Sequence, residues 1–389
     1  MFEIADIFKN YGGSYFSKYS SGMLSSHIKA FDDIIKCRTP IMGGKVYFCP
    51  DCKKYEYSYH SCGNRNCPKC QNDKANLWLE KNNKLLLPVN HFMITFTLPE
   101  ELRSFARSNQ KLFYNLFFRC SSKSIEKLSA DPKYIGGKPG LIGILHTWSR
   151  TLIFHPHVHY IVTGGGYSNE KSQWIKSRDN FLLPVKALSV IFRAKFRDEL
   201  KKDAPDLFHS IPSKIWRKDW IVNSIPVGRG DKAMKYLAQY VFRIAISNSK
   251  IVSCKNEMVT FKHKESKTNR WKIMTLQAEE FIRRFLQHVL PTGFVKVRYY
   301  GVFAVKNRTL LAKIRDTFGY GHNGNKLVTK TNKPKVFKCP VCKKEMVVVI
   351  VIPRPVRRSF SEGGPSRRFN KAPPQMNDSF DKLSFNRCA

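Results

Sequence analysis

Apolar positions over the first 45 residues recur at helical spacing: Ile4, Ile7 and Phe8, then Ile28, Phe31, Ile34 and Ile35. That spacing predicts amphipathic helices packed through those side chains. A further helix is predicted over 75–86. The pattern changes at His91: residues 91–98 are rich in β-formers and stop at Pro99, which predicts a strand. Helical spacing returns over 102–128, and two more strands are predicted at 143–153 and 157–162, the second stopped by Gly164, Gly165 and Gly166. Helices are predicted over 185–200, 232–246 and 279–289, and a hairpin over 258–262 and 271–276. The short apolar run 346–352 predicts a buried strand, and beyond Pro353 a Pro-, Ser-, Gly- and Arg-rich tail is expected to lack fixed structure.

Charge narrows the picture. Lys and Arg number 68 against 29 acidic residues, a net charge of +39 spread along all 389 residues. Such a field repels itself unless a polyanion neutralises it, and nucleic acid is the commonest such partner. A ribosome-associated protein, or a genome biased towards lysine, would give the same balance. No run of about 18 apolar residues is present, so no membrane span is expected. The first residues lack the basic-then-apolar order of a signal peptide, so a reducing cytoplasm is expected. There the 11 cysteines read as metal ligands or core thiols rather than disulfides.

Two knuckles, Cys49-Pro50-Asp51-Cys52 and Cys67-Pro68-Lys69-Cys70, stand fourteen residues apart. Together they offer four thiolates, which suits tetrahedral zinc, close to the zinc-ribbon pattern. His60 and Cys62, between them, read equally as alternative ligands, a second site or packing. Lys53, Lys54, Arg65 and Lys69 interleave with Tyr47, Tyr55, Tyr57 and Tyr59, a mixture that suits nucleic acid and equally a solvated surface. Cys339 and Cys342 form a later knuckle without an evident partner.

His155, His157 and His159 alternate along a predicted strand, which places them on one face. Three such histidines suit a metal better than a core. On the helix predicted over 232–246, Tyr236 and Tyr240 are i and i+4 and share a face. Alone, that pair reads as ordinary amphipathic packing.

The combination of a His-apolar-His strand and a Tyr-x-x-x-Tyr helix resembles the HUH endonucleases. More of the chain fits: Cys37-Arg38-Thr39 and Gly43-Gly44, the cysteine cluster, Leu145-His146-Thr147-Trp148, the glycines 164–166, Ala245-Ile246-Ser247-Asn248 and Phe281-Ile282-Arg283-Arg284-Phe285. Over about residues 5–350 the sequence resembles two-tyrosine HUH rolling-circle insertion-sequence transposases with an N-terminal zinc-binding domain. Asn66 departs from the histidine expected before the second knuckle, which favours cysteine ligands.

The resemblance implies an α+β fold with a ferredoxin/RRM-like antiparallel sheet. Its expected division is a helical and zinc-binding domain at 1–88, a catalytic domain at 89–300, a basic segment at 301–352 and a basic tail at 353–389. It implies that Tyr236 and Tyr240 attack a phosphate of single-stranded DNA at element ends, leaving a 5′-phosphotyrosine and a free 3′-hydroxyl. Zinc would sit on Cys49, Cys52, Cys67 and Cys70, and Mg2+ or Mn2+ on His157 and His159. His146 is the candidate third ligand, with packing beside Trp148 as its other reading. Arg65, Arg243, Arg283 and Arg284 are candidate phosphate contacts. The partner is DNA in a bacterial cytoplasm or nucleoid, with neither membrane nor small-molecule substrate. A zinc protein that only binds DNA, a replication initiator or relaxase, and a carboxylate-dependent transposase are the rival readings. No ATP-binding Gly-Lys-Ser/Thr loop supports the second, and acidic residues are few for the third.

Overall fold

The computed structural model describes residues 2–70, 85–229, 244–265, 268–319 and 336–354, with Trp78, Asn82, Lys232 and Val241. The helices expected over 75–86 and 232–246, and the tail after 354, lie almost wholly outside the described residues.

The chain opens with helices α1 (Ile4–Tyr19) and α2 (Ser25–Lys36), then strands β1 (Gly44–Cys49) and β2 (Lys54–Tyr59). Next come β3 (Asn90–Thr97), α3 (Gln110–Ala130), β4 (Gly140–Trp148), β5 (Phe154–Thr163), β6 (Gly165–Ser168) and β7 (Gln173–Lys176). They are followed by α4 (Val185–Asp203), β8 (Val222–Arg229), β9 (Ile251–Lys255), β10 (Met258–Lys264), β11 (Trp271–Gln277) and α5 (Ala278–Leu286). The last elements are β12 (Val297–Gly301), α6 (Arg308–Thr317) and β13 (Val347–Ile352).

The centre is a five-stranded sheet in the order β12-β4-β5-β3-β8, antiparallel throughout. The α+β class read from the sequence is the one observed. Alternate residues of its strands feed two separate cores, as a strand's period of two requires. Phe92, Phe96, Leu145, Val158 and Tyr160 face α3 and α4, against Phe117, Phe192 and Phe196. Met93, Ile142, Ile144 and Ile161 face the other way, against Leu311 and Ile314 of α6. Burying both faces explains why β4 is apolar almost end to end.

A second body forms around α1, α2, α5 and the sheet β9-β10-β11. Phe8 stacks on Phe31 at 4.7 Å and meets the edge of Phe285 at 5.3 Å. The N-terminal helices therefore share a core with residues 246–289, across the expected boundary at residue 88. A third unit is the small sheet β13-β1-β2, in which the C-terminal strand pairs with the N-terminal hairpin.

Three sequence expectations need correction. The helix expected over 102–128 breaks at Asn109, whose non-helical backbone (φ -123°, ψ 47°) separates a short helical turn from α3. The strand expected over 143–153 ends at Trp148, because the chain turns through Leu152 at φ 62°. The run 346–352 is not a buried strand. Val347 to Val351 are 46–63% exposed, since among the described residues β13 is an edge strand with β1 on one side only.

Candidate metal centres

His146 on β4 stands opposite His157 on β5 in the strand register, and His159 lies two residues further on the same face. One ring nitrogen from each of the three lies within 4.8 Å of the others. The missing N–H of Pro156 falls past the end of β3 and beside the register shift between His146 and Trp148, so the proline costs the sheet little. Neighbours fix the rings. His157 Nδ1 lies 2.7 Å from the His155 carbonyl, which can only accept, so Nδ1 donates and Nε2 keeps its lone pair. His159 Nδ1 meets Thr95 Oγ1 at 2.9 Å, and His146 stacks on Trp148 at 4.7 Å. Such outer contacts orient imidazole ligands for a cation. Three neutral imidazoles suit one divalent ion, with positions left for water or phosphate oxygens.

His155 does not join them. Arg103 Nη2 donates to its Nδ1 at 2.8 Å, and burial, with Arg103, lowers its pKa. Beyond Trp148, Lys296 Nζ sits 5.1 Å over the indole and donates to the Val241 carbonyl at 3.1 Å. Arg65, Trp148, Val241 and Lys296 line one cavity of about 250 Å³. Val241 packs in the core on the histidine-bearing face of the sheet, with Ile142, Ile144 and Ile161. Tyr236, Tyr240 and Arg243 lie outside the described residues.

The cysteines form two groups, neither of them the expected one. Cys37, Cys62, Cys67 and Cys70 converge in the first, and Cys49, Cys52, Cys339 and Cys342 in the second. The two knuckles read together in the sequence thus stand apart, each completed by another pair. The antiparallel β1–β2 hairpin is the cause: it carries Cys49 and Cys52 at one end and returns the chain to Cys62 at the other. Tetrahedral zinc at about 2.3 Å from each sulfur sets the sulfurs roughly 3.8 Å apart, whereas a disulfide needs about 2.0 Å. Observed Sγ–Sγ separations are 3.5 Å for Cys37–Cys70, 3.6 Å for Cys62–Cys70 and 3.5 Å for Cys49–Cys342. Both groups fit the metal and neither fits a disulfide. In the second group, backbone N–H groups of Cys342 and Val341 hold the Cys339 thiol down to about 7. Cys62 was visible between the knuckles in the sequence, but nothing local paired it with Cys37.

Of the candidate arginines, the three among the described residues are engaged within the protein. Arg65 Nη1 donates to the Phe294 carbonyl at 2.7 Å. Arg283 and Arg284 both pair with Glu280, at 2.6 Å each, and hold its carboxyl down to about 2.

Comparison with known proteins follows the same division. A family described as "Transposase zinc-binding domain" matches residues 7–98, and one described as "Putative transposase" matches residues 140–309. Cys339 and Cys342 lie beyond both stretches. A relative, "Putative transposase y4qJ" of Sinorhizobium fredii, is 33% identical over 382 residues, 90% of this chain and 95% of that one. "Transposase for insertion sequence element IS801" of Pseudomonas savastanoi pv. phaseolicola is 27% identical over 344 residues, 83% of this chain and 80% of that one. No solved structure matches the chain.

Proposed function

Since the chain belongs to the insertion-sequence transposases that carry a zinc-binding domain, we propose that it cleaves and rejoins single-stranded DNA at its element's ends through Tyr236 and Tyr240. The observation that carries this reading is the convergence of His146, His157 and His159 on one face of the central sheet. Val241, which follows Tyr240 in the sequence, packs on that same face.

A tyrosine hydroxyl, with a pKa of about 10, is a weak nucleophile at neutral pH and needs a polarised phosphate held in line. Mg2+ or Mn2+ on His146, His157 and His159 would supply that polarisation by drawing charge from the phosphate oxygens. The tyrosine oxygen bonds to phosphorus as the phenol gives up its proton. The bond to the 3′-oxygen breaks, and that oxygen takes up a proton to become a free hydroxyl. The phosphotyrosine keeps the bond energy, so the reverse attack by a 3′-hydroxyl rejoins DNA without ATP. Two tyrosines permit a second transfer before the first end is released, as a rolling-circle scheme requires. Cys37, Cys62, Cys67 and Cys70 would hold a structural zinc beside the core that the N-terminal helices share. Arg65, Arg243, Arg283 and Arg284 contact DNA phosphates, the last two by leaving Glu280. The protein acts on DNA in the bacterial cytoplasm and nucleoid.

Single-stranded element-end DNA incubated with the protein and Mn2+ should give a covalent adduct on a denaturing gel. The Tyr236→Phe, Tyr240→Phe double variant should give none. His157→Ala should lower the yield by about 10²-fold or more. An adduct that persists in the double variant sinks the assignment.

A further inference from the structure

We propose that Cys49, Cys52, Cys339 and Cys342 form a second zinc site, a clasp that closes the C-terminal strand β13 onto the N-terminal hairpin. The proposal deepens the zinc reading above and adds a site that joins residues 293 positions apart.

Four observations carry it. The two contributing segments are built alike. Each reads Cys-Pro-x-Cys, and in each the residue after the second cysteine turns left-handed, Lys53 at φ 52° and Lys343 at φ 63°. In the later segment the N–H of Lys343 donates to the Cys339 carbonyl at 2.9 Å, which folds it into a compact knuckle. Two knuckles face to face make a tetrathiolate cage, and a set of four soft thiolates selects zinc among the common divalent cations.

Next, the small sheet has almost no apolar core of its own. Among the described residues its buried apolar side chains besides cysteines are Val46 and Met346, with partly buried Tyr47 and Phe337 stacked at 4.4 Å. A lobe this poor in buried surface needs another source of stability, and structural zinc is a common one. Third, among the described residues β13 has only β1 beside it, and its valines are exposed. Backbone pairing with one neighbour is marginal in water. The clasp, with the Lys344–Asp51 ion pair at 2.5 Å, pins the start of that strand.

Lastly, the N-terminal segment is shaped to receive the far end of β13. Gly43 sits at φ 66°, and a Cβ there would lie 2.3 Å from the Pro353 carbonyl oxygen and 2.7 Å from that of Ile352. A side chain at this position would collide with backbone that the C-terminal strand alone brings there. The turn before β1 thus fits a C-terminal strand in place.

Zinc per chain, measured by atomic emission on the full-length protein and its variants, tests the clasp. The Cys339→Ser, Cys342→Ser variant should hold one zinc fewer than the wild type, and so should Cys37→Ser, Cys62→Ser. Any ion on the histidines is common to all three proteins and drops out of the difference. An unchanged count in the first variant overturns the clasp while leaving the first cysteine site standing. An unchanged count in the second overturns the first site and leaves the clasp. Should either variant fail to fold, alkylation of the native wild type with N-ethylmaleimide, read by peptide mass, replaces it. Cys49, Cys52, Cys339 and Cys342 should resist labelling until a chelator is added, and labelling of Cys339 and Cys342 in the untreated protein overturns the proposal.

Discussion

The two cysteine clusters use the same ligands in opposite settings. Cys37, Cys62, Cys67 and Cys70 lie against an extensive apolar core that includes Phe8, Phe31, Phe281 and Phe285. Cys49, Cys52, Cys339 and Cys342 sit in a lobe whose apolar core, among the described residues, amounts to little more than Val46 and Met346. Around the first cluster, hydrophobic burial of about 25 cal/mol per Å² already favours the fold. At the second, metal–thiolate bonds stand in for a core. A metal ligand set therefore says little about how much of the local stability the metal supplies; the surrounding apolar surface decides that.

The largest expected effect comes from removing metal. A strong chelator at neutral pH should release β13, so that trypsin cuts at Lys338, Lys343 and Lys344 within minutes. The helices α1 and α2 should keep their circular-dichroism signal over the same period, because their shared core remains. If both regions open together, the contrast between them is false. Next in size is Phe31→Ala, which removes a ring packed on Phe8 and Phe16. It should lower global stability by about 3–5 kcal/mol in a denaturant titration. Met346→Ala should leave the global midpoint nearly unchanged and only hasten proteolysis of the C-terminal segment.

Gly43→Val should be smaller, a loss of more than about 1 kcal/mol from its left-handed backbone and the collision with Pro353. It should loosen the clasp, seen as faster alkylation of Cys339, without exposing Cys67. A further effect, confined to acid pH, falls on the larger body. Burial lowers the pKa of His288 from 6.5 to about 3, while its ring bonds Leu152 and Thr147. The unfolded chain therefore takes up a proton before the folded one. Stability should fall as pH drops from about 6.5 towards 3 and be insensitive to His288 above that window. A His288→Leu variant whose Tm shows the same acid slope would remove this residue from the account.

Much of the fold was legible in local pattern. Helical spacing at Ile4, Ile7 and Phe8, and at Phe31 and Ile34, marked α1 and α2. β-formers after His91 marked β3, and the alternating histidines marked β5. The candidate site was half legible: His157 and His159 share a strand face by periodicity, whereas His146 depended on which strand lay beside them. The run 346–352 misled because apolar β-formers report strand propensity and carry no information on how many sides of the strand are covered. Packing and strand pairing between distant segments are equally silent in local pattern. Composition shifts along the chain do not show that α1 packs on α5 or that β13 pairs with β1.

By itself, then, the sequence determined what depends on composition and on neighbours a few residues apart: the element types, the basic charge that suits nucleic acid, the alternate histidines, and the knuckles as pairs of candidate metal ligands. Tertiary structure alone decided which pairs meet. A Cys-x-x-Cys turn fixes two thiolates by local geometry, but it leaves the other two coordination positions open to any part of the chain. Strand pairing between β1 and β13 chose Cys339 and Cys342 for Cys49 and Cys52, and the return of the hairpin gave Cys37 and Cys62 to Cys67 and Cys70.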